Sequence, residues 1–506
     1  MKWQYENEVN RCLLCHDAPC SKACPNDVNP ADRIRSLYFD NNYSAIKGLK
    51  KDTCDNCDLE CEKACILNVN DDPIRIKDLI NQIKKEKIDI NEKFKVDLSS
   101  DICGVKIENP FLLSSSVVAS NYEMLDKAFE LGWAGAAFKT ICTFDQHEAS
   151  PRFSVLKSRT GDFYGFKNIE QLSDHAVEDN LKIFKKLKKK YPNKVIFASI
   201  MGRNEKEWEE LARKCDKAGA DVIELNFSCP NMEDSSLGKT IGQSEEQVER
   251  FTRCSRKGTK KPILAKLTPN VESMIPFALA AKRGGADGIA AINTIMSITG
   301  INLDTLVPEP SVKGKSAVGG YSGNAVKPIA LRFISEMAAH EELKDLHYSG
   351  MGGIESWKDG IEFILLGCRS LQVTTAVMQY GYRIIEDLCN GLKGYMQERD
   401  ISNINQLVGG TLDNVVDLDK IQRDSILYPK FNLDECIGCG RCYISCYDGG
   451  HQAIAYDEKT RMPSLIGKKC VGCHLCKLVC PTNAITTQRK RTKSLLYNLI
   501  GGNKKK

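Results

Sequence analysis

The sequence contains 506 residues, of which 42% are hydrophobic, enough for more than one domain with a sizeable core. Its net charge of +5, from 71 Lys and Arg against 66 Asp and Glu, is too balanced to indicate nucleic-acid binding. No apolar run approaches the roughly 20 residues of a membrane span, and the N-terminus MKWQYENEVNRC has no apolar signal core. We therefore expect a soluble, cytoplasmic protein with no membrane or nucleic-acid partner.

The 23 cysteines are unevenly distributed, with eight in residues 12–65, eight in residues 436–480 and seven between them. A reducing compartment disfavours disulfides, so metal-binding or catalytic roles are favoured. The distribution predicts three domains, at residues 1–92, 93–427 and 428–490, followed by a basic tail at 491–506.

The first domain contains the motifs RCLLCHDAPCSKACP and CDNCDLECEKAC. Eight cysteines suffice for two 4Fe–4S clusters, although their spacing does not say which cluster each one binds, and a zinc-binding module stays an alternative. The segment between the motifs has helical character, so we expect a small α-helical iron–sulfur domain. The candidate ligands are Cys12, Cys15, Cys20, Cys24, Cys54, Cys57, Cys61 and Cys65.

The middle of the chain alternates apolar strands with amphipathic helices such as 205–219 and 326–340. Eight β/α units of this size favour a TIM (β/α)8 barrel over an open doubly wound sheet. The predicted strands are 111–116, 134–140, 194–202, 221–228, 262–269, 288–294, 346–353 and 370–377.

Function in such a barrel lies at the carboxyl ends of the strands, where this sequence repeatedly places polar residues. Two lysines in that ring, Lys139 and Lys266, can stabilise the negative charge of a reduced flavin ring. The turns SGMGGIES and QVTTAV follow the seventh and eighth strands and fit the usual phosphate site of these barrels. The strand-end residues are Ser115, Lys139, Met201, Asn226, Cys229, Lys266, Asn293, Thr294, Gly352, Gly353, Thr374 and Thr375.

The last domain carries CIGCGRCYISC and CVGCHLCKLVCP, each with the spacing C-x2-C-x2-C-x3-C. In this pattern three thiolates bind one 4Fe–4S cluster and the fourth binds its neighbour, which predicts an α+β two-cluster ferredoxin-like domain. Paired zinc sites are the alternative, but they do not need the interleaved repeat. One cluster is assigned Cys436, Cys439, Cys442 and Cys480, and the other Cys446, Cys470, Cys473 and Cys476.

Iron–sulfur domains on both sides of a barrel imply single electrons moving through the protein. The barrel then needs a centre that converts one-electron into two-electron chemistry, and a flavin is the obvious candidate.

At this point the motifs NPFLLSSS, LNFSCPN, AKLTPNV, AINT, GGYSGNAVKP, GMGGI and LQVTTAV resemble the FMN-binding dihydroorotate dehydrogenase barrel. With both cysteine-rich ends included, nearly the whole chain resembles the dihydropyrimidine dehydrogenase family. The resemblance implies an FMN and 4Fe–4S oxidoreductase, acting on a CH–CH group, that interconverts uracil or thymine and their 5,6-dihydro forms in pyrimidine catabolism.

The resemblance also implies site roles. Cys229, in the N-x-S-C-P motif, is the expected proton donor and acceptor at pyrimidine C5, and a positioned thiol suits that task. The expected substrate-binding residues are Asn168, Glu170, Asn226, Asn293 and Thr294. The expected FMN-binding residues are Ser115, Lys139, Thr140, Lys266, Ser322, Gly323, Gly352, Gly353, Thr374 and Thr375.

Departures from the family change the expectations. The loop after Cys229 reads PNMEDSSLGKTIGQ and only partly keeps the family's methionine- and glycine-rich version. The long form carries FAD and nicotinamide domains, whereas this chain runs into the barrel without any G-x-G-x-x-G unit, so a separate FAD/NAD(P)H flavoprotein or a ferredoxin is the expected donor. The long form also uses one non-cysteine iron ligand where Cys54 is available here. The implied division is Cys12, Cys15, Cys20 and Cys65 against Cys24, Cys54, Cys57 and Cys61.

Two other functions stay open at this stage, a dihydroorotate dehydrogenase and an electron-transfer adaptor without catalysis. Orotate carries a carboxylate that needs a cationic partner in the pocket, and the adaptor would not need an intact set of cavity residues. A homodimer or hetero-oligomer is expected. Cys103, Cys142, Cys215, Cys254, Cys368 and Cys389 fit no cluster spacing and are expected to be structural or exposed.

Overall fold

The computed structural model describes residues 3–86, 94–158, 163–232 and 237–487. These residues divide into two compact units. One holds both cysteine-rich ends (residues 1–38, 45–87 and 416–506), and the other holds residues 39–44 and 88–415. The predicted basic tail at 491–506 lies outside the described residues. Within the described ranges, no helix has the length and apolar character needed to span a lipid bilayer.

The N-terminal part is built from helices, in keeping with the prediction. An apolar cluster that includes Ile34, Leu37, Leu79 and Ile83 forms its core, and the cysteines pack against it. The helices are α1 (Trp3–Asn10), α2 (Pro19–Lys22), α3 (Pro30–Tyr38), α4 (Asn42–Ile46), α5 (Glu60–Lys63) and α6 (Ile76–Ile83).

The middle of the chain contains seventeen strands and ten helices within the described residues. The strands are β1 (Ser100–Ile102), β2 (Val105–Ile107), β3 (Phe111–Leu113), β4 (Gly135–Ala137), β5 (Ile141–Cys142), β6 (Phe153–Lys157), β7 (Phe163–Asn168), β8 (Val195–Met201), β9 (Val222–Asn226), β10 (Ile263–Lys266), β11 (Gly288–Ala291), β12 (Ile295–Ser297), β13 (Ile301–Asn302), β14 (Val307–Pro308), β15 (Gly319–Ser322), β16 (His347–Met351) and β17 (Cys368–Val373). The helices are α7 (Tyr122–Leu131), α8 (Val177–Lys190), α9 (Glu205–Ala218), α10 (Lys239–Gly242), α11 (Glu245–Gly258), α12 (Ile275–Gly284), α13 (Lys327–Ala339), α14 (Trp357–Leu365), α15 (Thr375–Tyr380) and α16 (Ile384–Gln397).

Eight of these strands close into a parallel barrel in the order β4-β3-β17-β16-β11-β10-β9-β8, with β8 pairing back to β4 and β5 adding to β8. The predicted TIM barrel is therefore confirmed. Its strands are buried along most of their length, as expected where helices cover the sheet. All eight predicted strands extend one to four residues past the observed carboxyl ends. The largest excess is at 370–377, which includes the start of α15, whereas the strand stops at Val373.

The two ends of the barrel differ. The hairpin β1–β2 buries Ile102 and Ile107 against Leu112, Phe197 and Leu264, which fills the amino-terminal end. At the carboxyl end, strands β12, β15, β7 and β6 form an antiparallel sheet in that order, and residues of this sheet line a cavity. The cavity is therefore at the end where the strand termini converge.

The C-terminal part is small and mixed. Its core includes Cys442, Cys446, Ile454, Cys476 and Ile485. Strand β18 (Lys430–Phe431) pairs with β21 (Ile485–Thr486), β19 (Ile454–Asp457) pairs with β20 (Met462–Leu465), and the helices are α17 (Arg441–Gly449) and α18 (Leu475–Leu478).

Candidate active site

A cavity of about 140 Å³ opens at the carboxyl ends of the barrel strands. All sixteen residues that the sequence proposes for catalysis, substrate or flavin line it. They are Ser115, Lys139, Thr140, Asn168, Glu170, Asn226, Cys229, Lys266, Asn293, Thr294, Ser322, Gly323, Gly352, Gly353, Thr374 and Thr375. The fold thus brings together residues separated by up to 260 positions, while their individual roles stay predictions.

Cys229 lies three residues after β9, in the turn that enters the loop toward α10. The side chain is only 7% exposed, and the chain returns so that the Lys239 N–H donates to the Cys229 carbonyl oxygen at 2.9 Å. Burial raises the pKa of the Cys229 thiol to about 11, against the opposing effect of the Asn231 N–H. The group is therefore held as a thiol at neutral pH.

A set of amide and hydroxyl side chains lies around Cys229. Asn226 donates to Thr140 Oγ1 at 2.8 Å and accepts from Ser228 Oγ at 3.0 Å. Asn293 in turn donates to Ser228 Oγ at 2.8 Å. These bonds fix the amide orientations, which preorganises donors and acceptors for a ligand with a complementary edge.

Asn231, which is not among the predicted site residues, connects the Cys229 turn to β7. Its Nδ2 donates to Asn168 Oδ1 at 3.0 Å and to the Glu170 carbonyl oxygen at 2.8 Å. Asn168 donates from its own Nδ2 to the Gly320 carbonyl oxygen at 3.1 Å. The two segments that carry the proposed proton donor and amide readers are therefore joined directly.

The Lys139 ammonium contacts two carboxylates, Glu170 at 3.1 Å and Glu148 at 3.3 Å. Both Glu148 oxygens also accept the Gln171 N–H at 3.1 Å. Burial raises the pKa of Glu170, and the nearby Lys139 charge opposes that shift. Glu148 is a second residue that the sequence did not predict for the site. It lies in a loop, where hydrophobic periodicity gives no information.

Lys266 lies on β10 and is paired with a carboxylate inside the barrel. Its Nζ donates to Ser115 Oγ at 3.0 Å and contacts Glu224 Oε1 at 3.5 Å, with the side chains 4% and 0% exposed. Glu224 also accepts from Ser115 Oγ at 3.0 Å and from Gln372 Nε2 at 2.8 Å. In the sequence, Glu224 stands out as the charged residue within the otherwise apolar start of the strand motif IELN.

The opposite part of the cavity is formed by glycine turns and hydroxyls. Gly352 (φ +119°) and Gly353 (φ +78°) adopt left-handed conformations, and a Cβ on Gly353 would lie 2.9 Å from the Gly323 carbonyl oxygen. Thr375 Oγ1 donates to Ser322 Oγ at 2.9 Å, at the first turn of α15. A glycine turn without Cβ atoms, beside hydroxyl side chains, suits a phosphate group.

Four residues that line the cavity each have one buried polar atom with no hydrogen-bond partner among the described residues. The atoms are Asn231 Oδ1, Tyr321 OH, Glu355 Oε1 and Gln372 Oε1. Because unpaired buried polar atoms are costly, they indicate a cavity built for a polar ligand. Two lysines, a phosphate-compatible glycine turn and these atoms all fit FMN with a second small molecule.

The C-terminal cysteines line two separate cavities of about 20 Å³ each. One is lined by Cys436, Cys439, Cys442 and Cys480, and the other by Cys446, Cys470, Cys473 and Cys476. Backbone N–H groups approach two of the sulfurs, with Ala453 N 3.3 Å from Cys446 Sγ and Gly472 N 3.4 Å from Cys470 Sγ. Each cavity contains the four cysteines that the interleaved spacing assigns to one cluster.

The N-terminal cysteines also fall into two neighbourhoods. Burial raises the pKa of Cys12 to about 11, and the charges of Cys20, Cys15 and Cys65 add to the shift. Burial likewise raises the pKa of Cys61 to about 12, with Glu62, Cys24 and Cys57 adding to it, and Cys54 interacts with Cys57 and Cys24. The ligand division itself stays a prediction, and among the described residues no group of three or more His, Cys, Asp or Glu is arranged to hold a single metal ion.

Three family models match the chain. The dihydroorotate dehydrogenase model matches residues 97–396, a 4Fe-4S dicluster domain matches 430–487, and dihydropyrimidine dehydrogenase domain II with its 4Fe-4S cluster matches 2–91. The predicted iron–sulfur character of both ends is thereby confirmed.

Several curated proteins are similar to the chain. The NAD-dependent dihydropyrimidine dehydrogenase subunit PreA of Escherichia coli K12 is 55% identical over 389 residues, which is 77% of this chain and 95% of that protein. The chloroplastic NADP(+) dihydropyrimidine dehydrogenase of Arabidopsis thaliana is 37% identical over 67% of this chain and 83% of its own length. The catalytic subunit of dihydroorotate dehydrogenase B from Pyrococcus horikoshii is 36% identical over 62% of this chain and 97% of its own length.

A solved structure has the same barrel fold. The dihydroorotate dehydrogenase of Eimeria tenella in complex with ferulenol superimposes with a TM-score of 0.53 at 18% identity, covering 64% of this chain and 90% of that one.

Proposed function

The chain belongs to the dihydroorotate dehydrogenase family and to the PreA group of dihydropyrimidine dehydrogenase subunits, and from that membership we propose that it interconverts uracil or thymine and their 5,6-dihydro forms. The observation that supports this most directly is the buried Cys229 thiol beside preorganised amide side chains in the barrel cavity.

FMN in this cavity would be held by Lys139, Lys266, the glycine turn and the hydroxyls of Ser322 and Thr375. When bound, FMN would supply the hydride, and the 4Fe–4S clusters would supply its single electrons. The proposed ligands of those clusters are the sixteen cysteines of the two ends. The lysines hold positive charge where a reduced flavin ring carries negative charge.

The chain's own contribution to the chemistry is binding and proton transfer. Uracil presents alternating C=O acceptors and N–H donors, which Asn168, Asn226 and Asn293 with Glu170 and Thr294 match. Cys229 gives its proton to pyrimidine C5 in the reducing direction and removes it in the oxidising direction. Burial of the thiol keeps water away from the transfer and keeps the proton on sulfur until substrate arrives.

Uracil and thymine are favoured over orotate by the charges of the cavity. Both lysines that line it are paired with carboxylates, Lys139 with Glu148 and Glu170, and Lys266 with Glu224. A ligand carboxylate would have to compete with those partners, whereas a neutral ring needs no cation.

The electron donor is a separate protein, in our proposal an FAD/NAD(P)H flavoprotein or a ferredoxin, and the chain works in the cytoplasm as part of an oligomer. The PreA name of the relative describes a subunit, which supports this division of labour.

Anaerobic uracil reduction with reduced methyl viologen tests the proposal. We expect turnover with uracil and none with orotate, and we expect Cys229→Ala to lose turnover while flavin and iron contents are unchanged. Cys254→Ala, a buried cysteine on α11 outside the cavity, is the matched control and should retain activity. Normal uracil reduction by Cys229→Ala would refute the role of the thiol, and orotate as the better acceptor would refute the substrate class.

A further inference from the structure

Glu355 lies just after the Gly352–Gly353 turn, in the connection from β16 to α14. Its side chain lines the cavity at the glycine-rich end. Oε2 accepts from Asn324 Nδ2 at 3.5 Å, but Oε1 is buried and has no hydrogen-bond partner among the described residues. A residue that lines the cavity together with Gly352 and Gly353 therefore has one carboxyl oxygen buried without compensation.

The charges near Glu355 leave its carboxyl group without a cation of its own. Asp359 lies in the first turn of α14 and accepts the Glu355 N–H at 3.1 Å. The ammonium group of Lys327, whose charge acts on Glu355, contacts Asp359 at 2.6 Å and Glu362 at 2.8 Å. Burial raises the pKa of Glu355 to about 7 and Asp359 adds to the shift, while Asn324 and Lys327 oppose it.

We propose that Glu355 binds the flavin phosphate in its protonated form, with the O–H of the carboxyl group donated to a phosphate oxygen. The inference rests on the proposed use of FMN. An ionised carboxylate beside a phosphate dianion would repel it, whereas a carboxylic acid gives the otherwise unpaired oxygen a hydrogen-bond partner. The proton comes from solvent, and no covalent bond changes.

The sign of the pH effect follows from this protonation. If the bound state requires the acid form, FMN binding takes up one proton whenever Glu355 is ionised in the free protein. Above a pKa of about 7 the affinity should fall by up to tenfold for each pH unit. The phosphate itself has a second pKa near 6, so it is already a dianion in this range and does not produce the fall.

The experiment measures FMN binding to the full chain after removal of its flavin, by fluorescence quenching between pH 7 and pH 9. Riboflavin, which lacks the phosphate, is the probe control. Glu355→Gln keeps the shape and a hydrogen-bond donor without the titration. Glu362→Gln, which also neutralises a carboxylate near Lys327, is the matched control variant.

We expect the wild-type Kd for FMN to weaken by about ten- to a hundredfold from pH 7 to pH 9. The Glu355→Gln Kd should stay constant, Glu362→Gln should behave like wild type, and riboflavin binding should not change with pH. Titration calorimetry of the wild type in buffers of different ionisation enthalpy should show uptake of about one proton at pH 8, a result that does not depend on any variant folding.

A wild-type Kd for FMN that is flat over this range, or absence of proton uptake, would overturn the inference and leave the proposed function standing. The same pH dependence in Glu355→Gln or with riboflavin would overturn it too. A chain that binds neither flavin at any pH would overturn the proposed function as well.

Discussion

Replacing Lys266 by methionine tests whether the buried ion pair stabilises the barrel as well as the flavin. The change keeps the length of the side chain and leaves Glu224, which is fully buried, with Ser115 and Gln372 as its hydrogen-bond partners among the described residues. Removing one member of a buried pair typically costs about 3–5 kcal/mol. Because two hydrogen bonds to Glu224 remain, we expect about 3 kcal/mol.

At roughly 2–4 °C per kcal/mol for domains of 150–250 residues, and less for this larger barrel, the loss should lower the melting temperature by about 5–10 °C. The fluorescence of the buried Trp133 and Trp208 reports barrel unfolding. The double variant Lys266→Met/Glu224→Gln removes the unpaired charge and should regain about 2 kcal/mol, or about two thirds of the loss.

The flavin potential separates the two roles of Lys266. It should fall in both variants, by about 30 mV for each 1.4 kcal/mol of lost charge stabilisation in a two-electron couple. Lys217→Met, on the exposed face of α9, is the control and should change neither quantity. A single variant as stable as wild type, or a double variant no more stable than the single one, would refute the reasoning.

Three further results are expected. Because the pKa of Cys229 is raised to about 11, dihydrouracil oxidation, which needs the thiolate, should become about tenfold faster per pH unit between pH 7 and pH 10. Uracil reduction, which needs the thiol, should not become faster. Steady-state rates in both directions measure this, and an oxidation rate that does not change with pH would contradict it. Gly353→Ala should weaken FMN retention on ultrafiltration at least tenfold, because φ is +78° and the new Cβ would lie 2.9 Å from a carbonyl oxygen. Gly300→Ala, whose new Cβ would have no heavy atom within 4 Å, should retain FMN like the wild type. Equal retention by the two variants would argue against a phosphate site at the Gly353 turn. Cys480→Ala should lower the iron content by about four atoms per chain while the other C-terminal cluster persists, with Cys254→Ala as control; unchanged iron would exclude the ligand role.

The barrel and the strand-end residues of its cavity were predictable because both depend on local patterns, whereas Asn168, Glu170, Ser322 and Gly323 were implied by the family resemblance. Each apolar strand is followed by polar residues, and the carboxyl ends of parallel strands must converge, so Lys139, Asn226 and Lys266 could be placed in one cavity without a structure. The start of α15 at Thr375 was harder to place, because its TTAV segment has strand-like composition but functions as a helix start.

The polar network beneath the cavity was not predictable. Gln372 and Glu224 are 148 positions apart, and only closure of the barrel brings them into contact. Glu148 and Asn231 lie in loops, where periodicity carries no information, and their contacts with Lys139 and Asn168 depend on the path of the chain over the barrel. These residues position others, and such roles appear only in three dimensions.

The central claim is that a thiol and a flavin share the barrel cavity and act on one pyrimidine ring. Anaerobic titration of the purified chain with dihydrouracil, followed at the visible flavin band, tests it most directly. We predict rapid bleaching in the wild type and none in Cys229→Ala, with the band itself present in both. A wild-type flavin band that dihydrouracil leaves unchanged, or equally fast bleaching without the thiol, would contradict the account.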